Sequence, residues 1–158
     1  MNVALTVSAG FVGTTFAGDP ELAPPRFPRF LPEVIVLPYH GSGLLFEGVR
    51  GTQVLSGRGA RSFLPELITQ LDGSRALVEL VHAFPPIAPQ AVFDAIALLY
   101  SRGLLEDGAE RAVPEHEDAL AFLGRYVDAT RVNANRHEAL SRLGSARLAL
   151  AGSSAAVA

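Results

Sequence analysis

The sequence predicts an α+β fold in which a three-stranded antiparallel sheet is followed by three helices. Three observations predict it. Short apolar, β-branched runs alternate with glycine-containing turns between residues 33 and 57. Apolar residues then recur at helical spacing in three successive runs between residues 61 and 102. A short apolar run after Gly103 has the length of a return strand. Together these features are typical of a winged helix-turn-helix.

The sheet is predicted from three short segments that are separated by turn residues. The first is a continuous apolar run bounded by Pro32 and Pro38, and a His-Gly-Ser-Gly turn follows it at residues 40–43. Strands this short are not stable as an isolated sheet, so they must pack on the helices that follow. The expected strands are Val34–Leu37, Leu44–Phe46 and Thr52–Leu55.

The first two helices have imperfect starts. Pro65 is tolerated only in the first turn of a helix, so the first helix is expected to begin near Arg61 or Ser62. The second has Glu79 at the acidic position of a capping box, but Ala76 stands where Ser or Thr is needed. Either Ser74 caps this helix from slightly earlier or its start is weak. Its apolar positions are Leu77, Leu80, Val81 and Phe84, and Pro85-Pro86 ends the run.

The third helix has two apolar faces. Its core face is expected to comprise Val92, Ile96 and Leu99. A second stripe lies about 100° round the helix and comprises Phe93, Ala97 and Tyr100. Two interpretations stay open: a small domain buries both stripes, or the second stripe lines a groove.

Three regions follow from these patterns. Residues 1–28 are expected to be a loosely ordered N-terminal extension that leads into the domain, with one strand near Val3–Val7. Residues 29–110 form the winged-helix domain, and residues 111–158 form a helical extension. That extension is expected to contain helices at Ala119–Val127 and Asn133–Leu143 and then a strand from Arg147 into a turn at Gly152.

Composition excludes several function classes. The net charge is −3, and every basic residue is Arg, without the clustered basic surface that nucleic acid requires. The absence of Cys excludes disulfides and thiolate metal sites. His116-Glu117-Asp118 lacks the paired His of a zinc helix and is interpreted as a solvated helix start, so no metal site is expected. Catalytic constellations and cofactor motifs are also missing, and a cytoplasmic protein with no membrane segment is expected.

Three segments in this order and spacing resemble a known family: Gly51–Leu67, Leu71–Leu80 and Leu99–Asp107. They are similar to the precursor-peptide recognition element of ribosomal peptide natural-product pathways, which is related to the pyrroloquinoline-quinone peptide chaperone. The variety they resemble is the N-terminal part of ThiF-like partner proteins of azoline-forming cyclodehydratases, in thiopeptide and heterocyclised bacteriocin biosynthesis. The resemblance covers residues 33–107 and continues weakly through residues 136–152. Ala76, residues 1–28 and the missing adenylating-type domain depart from the pattern.

The resemblance implies a non-catalytic protein without a cofactor that captures a leader peptide and presents it to a cyclodehydratase. In that family the leader adds as a strand to the edge of the small sheet, between the third strand and the third helix. The corresponding edge here contains no Pro, so its backbone can supply ladder hydrogen bonds. The expected peptide-binding residues are Thr52, Gln53, Val54, Leu55 and Ser56 on the strand and Phe93, Ala97 and Tyr100 on the helix.

Two alternatives remain. A winged-helix DNA-binding regulator would use residues 89–102 as its recognition helix, but that helix carries Asp94 and a single Arg, which suits phosphate contacts poorly. The second alternative is that the chain is the front fragment of a ThiF-like adenylating enzyme. For this alternative the Gly152 turn provides only the first glycine of a dinucleotide fingerprint. The sequence leaves a homodimer open.

Overall fold

The computed structural model describes residues 8–19, 23–49, 51–109, 116–126 and 132–149. It has an α+β fold in which a three-stranded antiparallel sheet packs against several helices. The helices are α1 (Ala9–Gly18), α2 (Arg58–Ser62), α3 (Leu64–Gln70), α4 (Leu77–Leu80), α5 (Pro89–Ser101), α6 (Glu117–Gly124) and α7 (Arg136–Ser145). The strands are β1 (Pro28–Phe30), β2 (Ile35–Tyr39), β3 (Gly43–Glu47), β4 (Gln53–Ser56) and β5 (Leu105–Asp107).

The predicted meander is confirmed. The sheet order is β2-β3-β4, and both pairings are antiparallel, with Leu45 opposite Leu37 on one side and Val54 on the other. The turn between β2 and β3 contains His40 and Gly41, both with positive φ. Glycine accepts such a backbone without strain, which explains why the turn chemistry was recognisable in the sequence.

The first predicted helix is divided in two. Helix α2 begins at Arg58, earlier than expected, and α3 begins after Phe63 with Pro65 in its first turn. Proline has no N–H, so Pro65 cannot donate the hydrogen bond that would continue the first helix through this point. The chain therefore ends one helix and starts another at this point.

Helix α4 is shorter than its apolar pattern indicated. The Glu79 carboxylate accepts a hydrogen bond from the Ala76 N–H at 3.2 Å, which is half of a capping box. Ala76 has no hydroxyl for the other half. Ser74 does not cap the helix; its hydroxyl donates to the Asp72 carboxylate at 2.6 Å, and this bond, with that of the Ser74 N–H, lowers the pKa of Asp72. The weak helix start is the interpretation that the structure supports.

One hydrophobic core joins the inner face of the sheet to α3, α4 and α5. The expected core face of α5, Val92, Ile96 and Leu99, is fully buried. Phe46 from β3, Leu67 from α3 and Leu80 from α4 are also fully buried. Burial of apolar area on this scale is the main favourable contribution to folding of the domain.

The return strand forms where the sequence predicted it, but its partner is not the meander. Strand β5 pairs antiparallel with β1, so that Pro28 lies opposite Asp107 and Phe30 opposite Leu105. Leu31 extends this pairing by donating its N–H to the Leu104 carbonyl at 3.1 Å. The expectation that residues 1–28 are loosely ordered is wrong for the part that is described, because Ala9–Gly18 is helical and Pro28 begins a strand. The strand expected near Val3–Val7 lies outside the described residues.

The C-terminal extension is helical, as expected. Helices α6 and α7 pack against each other. Asn135 caps α7, since its side-chain oxygen accepts from the N–H groups of His137 and Glu138. Residues 146–149 are neither helical nor in a strand, and the rest of the strand expected from Arg147, with its Gly152 turn, lies outside the described residues. Within the described ranges, none of the helices has both the length and the apolar character to span a bilayer.

Candidate functional site

Strand β4 forms one edge of the three-stranded sheet. The Gly57 N–H donates to the Ser42 carbonyl at 3.0 Å, and these two residues lie opposite each other one position beyond the pairing of β3 with β4. Hydrogen-bonded and non-hydrogen-bonded pairs alternate along an antiparallel ladder. Gln53 and Leu55 therefore bond to β3, whereas Val54 and Ser56 direct their backbone N–H and C=O groups toward the open edge.

The opposite edge of the sheet is formed by β2 and is less suited to pairing. Continuing the same alternation across β3 places Ile35, Leu37 and Tyr39 in the ladder, so Val36 and Pro38 face outward. Proline has no N–H, and a proline at an outward position is the arrangement expected of a blocked edge strand. Of the two edges, β4 is the one with an uninterrupted row of backbone donors.

The side chains of β4 divide between the two faces of the sheet. Leu55 is buried in the core, and Val54 is 42% exposed on the outer face. Val54 continues a cross-strand apolar row through Leu45 to Leu37, which is 45% exposed. An apolar side chain on an added strand beside Val54 would extend this row, and such cross-strand pairs stabilise sheets.

Gln53 connects the β4 edge to helix α5. Its side-chain Nε2 donates to the Arg102 carbonyl at 2.8 Å, at the C-terminal end of α5. Its Oε1 is buried and has no hydrogen-bond partner within the described part of the chain. This contact joins strand β4 to the C-terminal end of α5.

The second apolar stripe of α5, Phe93, Ala97 and Tyr100, is covered. We call these three residues the α5 stripe. Ala97 is fully buried against Val12 of α1, and Phe93 and Tyr100 pack into the same cluster. The N-terminal helix of the chain itself therefore lies on this stripe, and Phe93 and Tyr100 remain partly exposed beside it.

Two glycines allow α1 to approach α5 closely. A Cβ atom on Gly13 would overlap the Asp94 side chain, at 2.6 Å from its Cγ, and would lie 3.0 Å from its Cα. One turn earlier, a Cβ on Gly10 would be at an ordinary 3.6 Å from Asp94. The spacing of Gly10 and Gly13 on one helix face was the signal in the sequence for this contact, since small residues at i and i+3 permit close helix packing.

The eight residues predicted for the site thus fall into two groups. Thr52, Val54 and Ser56 are exposed on or beside the β4 edge, and Gln53 and Leu55 face inward. Phe93, Ala97 and Tyr100 lie under α1. Sequence reasoning missed Val12 and Gly13, which belong to the segment expected to be loosely ordered.

A second notable cluster is ionic and lies away from this site. The Arg136 guanidinium pairs with both Glu33 carboxylate oxygens and donates from Nε to Glu106 at 2.9 Å, and Arg29 donates to Glu106 from Nη2 at 2.7 Å. Burial opposes the charge on Arg136, but its hydrogen bonds to Glu33 and Glu106 outweigh this and raise its pKa. Gly124 leaves room for the guanidinium, since a Cβ there would lie 2.5 Å from Arg136 Cζ.

This cluster has a structural character. It contains two acids and two bases, so its charges balance, and its donors converge on carboxylates that are already shared. It attaches α7 to β5 and to the segment before β2. Buried ion pairs of this kind fix the arrangement of elements more than they add stability.

No group of His, Asp and Glu side chains in the described ranges is arranged to hold a metal ion. His116, Glu117 and Asp118 are exposed at the start of α6, which agrees with their interpretation as a solvated helix start. Two features therefore stand out chemically in this part of the chain, the ionic cluster around Arg136 and the β4 edge. Of the two, only the β4 edge has unpaired backbone groups that face outward.

Comparison with protein-family models found no model that matches this chain. The search of curated proteins likewise found no match.

Proposed function

We propose that this chain is a non-catalytic peptide-binding module of winged-helix type, related to the precursor-peptide recognition elements. It captures the leader of a ribosomal precursor peptide by adding it as a strand to β4. It then presents the peptide, in the cytoplasm, to a cyclodehydratase that forms azolines. The observation that carries this proposal is the β4 edge, with the backbone groups of Val54 and Ser56 directed outward.

Strand addition suits the β4 edge for two reasons. The backbone hydrogen bonds of an added strand provide affinity without any demand on the sequence of the peptide. The alternate side chains of that strand then read the sequence, half of them beside Val54 on the outer face and half toward α5. The first group meets an apolar row and the second group meets the junction that Gln53 forms with Arg102.

A DNA-binding function receives less support from the same residues. The helix that would enter the major groove is α5, which carries Asp94 and ends beside Arg102. Its second stripe lies under α1, and the chain has a net charge of −3. Nucleic-acid affinity depends mainly on phosphate contacts by basic side chains, and α5 offers few.

The direct test is calorimetric titration of the full chain with the synthetic leader of a precursor peptide encoded beside its gene. We expect a saturable one-to-one isotherm without nucleotide. The proposal is refuted if high peptide concentration produces no heat and no shift in the backbone NMR resonances. Binding of ATP by the chain would instead favour the adenylating-enzyme alternative.

The edge itself is tested by the substitution Val54→Pro. Proline at this position removes an N–H that points away from β3, so the sheet keeps its internal ladder while an added strand loses a donor and meets the proline ring. We expect leader affinity to fall by about tenfold or more, since one hydrogen bond contributes about 0.5–1.5 kcal/mol and the ring adds a steric penalty.

The matched control is Val36→Pro, which removes an outward N–H from the opposite edge of the same sheet. Because Val36 also packs on the core, its variant is compared at a temperature where circular dichroism shows both proteins folded. Leader affinity should be unchanged in this control. An equal loss of affinity in both variants, or a loss in Val36→Pro alone, would mean that β4 is not the docking edge.

A further inference from the structure

The helix side of the candidate site already has an occupant, which is α1. A strand added to β4 directs every second side chain to the face that carries Gln53 and Leu55. Gln53 on that face already reaches the C-terminal end of α5. We propose that α1 is an autoinhibitory cover, which a peptide paired with β4 must displace before its side chains can pack on the α5 stripe. This inference rests on the proposed function.

The described part of the contact between α1 and α5 includes one buried aliphatic side chain and one close backbone approach. Val12 is 8% exposed and packs on Ala97, while its neighbour Phe11 is 69% exposed. Gly13 fits against Asp94 with no room for a side chain. Val12 and Gly13 therefore both contact α5 directly.

Helix α1 has little intrinsic stability to hold it in place. Its 10 residues include three glycines and two threonines and no charged residue that could form stabilising pairs along the helix. Thr14 and Thr15 donate their hydroxyls to the carbonyls of Gly10 and Phe11, a pattern that slightly weakens helices. An isolated helix of this length is marginal in water, so α1 depends on α5 for its helical form and unfolds when it leaves.

The covered site also indicates what kind of side chain replaces Val12. The position is formed by Phe93, Ala97, Leu98 and Tyr100, with the Asp94 carboxylate beside it. A small aliphatic side chain, such as Val, Ile or Leu, fills the same volume. An acidic side chain would be repelled by Asp94 and would lose hydration on burial.

A pair of glycine substitutions separates docking of α1 from its helix propensity. Gly13→Ala and Gly10→Ala raise the helix propensity of α1 alike, but only the Cβ at position 13 overlaps Asp94. We expect Gly13→Ala to bind the synthetic leader about ten- to hundredfold more tightly than the unmodified chain, because the competent, uncovered state is then the main one. Gly10→Ala should bind like the unmodified chain.

A second pair covers the outcome that position 13 tolerates Ala by local adjustment. Val12→Glu places a carboxylate against the α5 stripe and beside Asp94, and should release α1. Phe11→Glu introduces the same charge at an exposed position and serves as its control. Since the main core involves none of these side chains, the rest of the domain should stay folded.

Hydrogen exchange provides a readout that does not need affinity. Amides of residues 12–18 should exchange slowly in the free, unmodified chain and rapidly in Gly13→Ala or Val12→Glu. Adding leader peptide to the unmodified chain should also accelerate their exchange.

The two proposals fail in different ways. Equal leader affinity in the unmodified chain and in all four variants, with α1 protected in the complex, would overturn the cover and leave peptide capture intact. Rapid exchange of α1 in the free, unmodified chain would also overturn the cover. Absence of leader binding in every variant, including those whose exchange shows α1 released, would overturn peptide capture itself.

Discussion

The β4 edge and the α5 stripe were expected to be two sides of one open cleft, but in the structure they differ in exposure. The backbone groups of Val54 and Ser56 point outward from the β4 edge. In the described sheet, β4 pairs with β3 on one side and has no strand on the other. In the α5 stripe, Ala97 is buried against Val12 of α1, and Phe93 and Tyr100 are partly buried in the same cluster. An edge strand can remain unpaired in water because water forms hydrogen bonds to its exposed backbone groups. An exposed apolar stripe is instead stabilised when another element packs on it and removes its apolar area from water.

The largest effect on stability is expected from a substitution that lies outside both regions. Arg136→Met leaves the carboxylates of Glu33 and Glu106 buried without their main partner. We expect the free energy of unfolding, measured with urea, to fall by about 3–5 kcal/mol. Leader affinity of the folded protein should not change, since Arg136 contacts neither β4 nor α5.

Arg142→Met is the matched control for that variant. Arg142 pairs with Glu138 one turn earlier on the same helix, but the pair is exposed. Its loss should reduce the free energy of unfolding by only about 0.3–0.5 kcal/mol. A similar loss for both variants would show that the buried ionic cluster does not attach the C-terminal helices.

An intermediate effect is expected from Gly43→Ala, which acts on the β4 edge alone. A Cβ at this position would overlap the Leu55 carbonyl oxygen and lie 2.8 Å from Ser56 Cα, so it pushes β4 away from β3. We expect a loss of about 1–3 kcal/mol in the free energy of unfolding, together with weaker leader binding.

The comparison predicts that hydrogen exchange of α1 stays unchanged in Gly43→Ala, because the α5 stripe is not affected. Gly59→Ala is the control, since a Cβ at Gly59 meets open space on α2 and should be neutral or stabilising. Accelerated exchange of α1 in Gly43→Ala would mean that the edge and the stripe form one cooperative unit.

The smallest effect is expected from Gln53→Leu, which removes the link between the two regions. The lost hydrogen bond to the Arg102 carbonyl is worth about 0.5–1.5 kcal/mol, and removal of the buried, unpartnered Oε1 offsets part of that loss. Urea denaturation measures the net change. Gln90→Leu, which removes an exposed hydrogen bond to Asp94 on α5, is the comparison variant.

If Gln53 sets the distance between β4 and the end of α5, Gln53→Leu should weaken leader binding more than it destabilises the fold. Gln90→Leu should leave binding unchanged. If both variants bind the leader as tightly as the unmodified chain does, the β4 edge binds it without help from α5.

Much of the fold could be predicted because its signals are local. Three short apolar runs with intervening turns predicted the meander, and helical periodicity predicted both faces of α5. What was missed depends on partners distant in sequence. The pairing of Pro28–Phe30 with Leu105–Asp107 has no local signature. The docking of α1 is indicated only by the Gly10 and Gly13 spacing, in a segment whose glycines and threonines have low helix propensity.

The candidate site divides along the same line. The β4 residues were identifiable because a strand without Pro next to a turn is a local pattern. The α5 stripe was identifiable as a second apolar face, but its two interpretations could not be separated, because the choice depends on Val12 and Gly13, more than 70 residues away in the chain. A second apolar stripe on a helix indicates that it has a partner, and the sequence of the helix does not say which.

Pro38 on the opposite edge has a consequence for how copies of this protein behave at high concentration. Growth of a sheet into a fibre requires each molecule to offer a free strand edge on both sides, and here the β2 edge lacks the backbone donor at Pro38. Continuation of a stack through the β2 edge is therefore disfavoured, whatever strand pairs with β4.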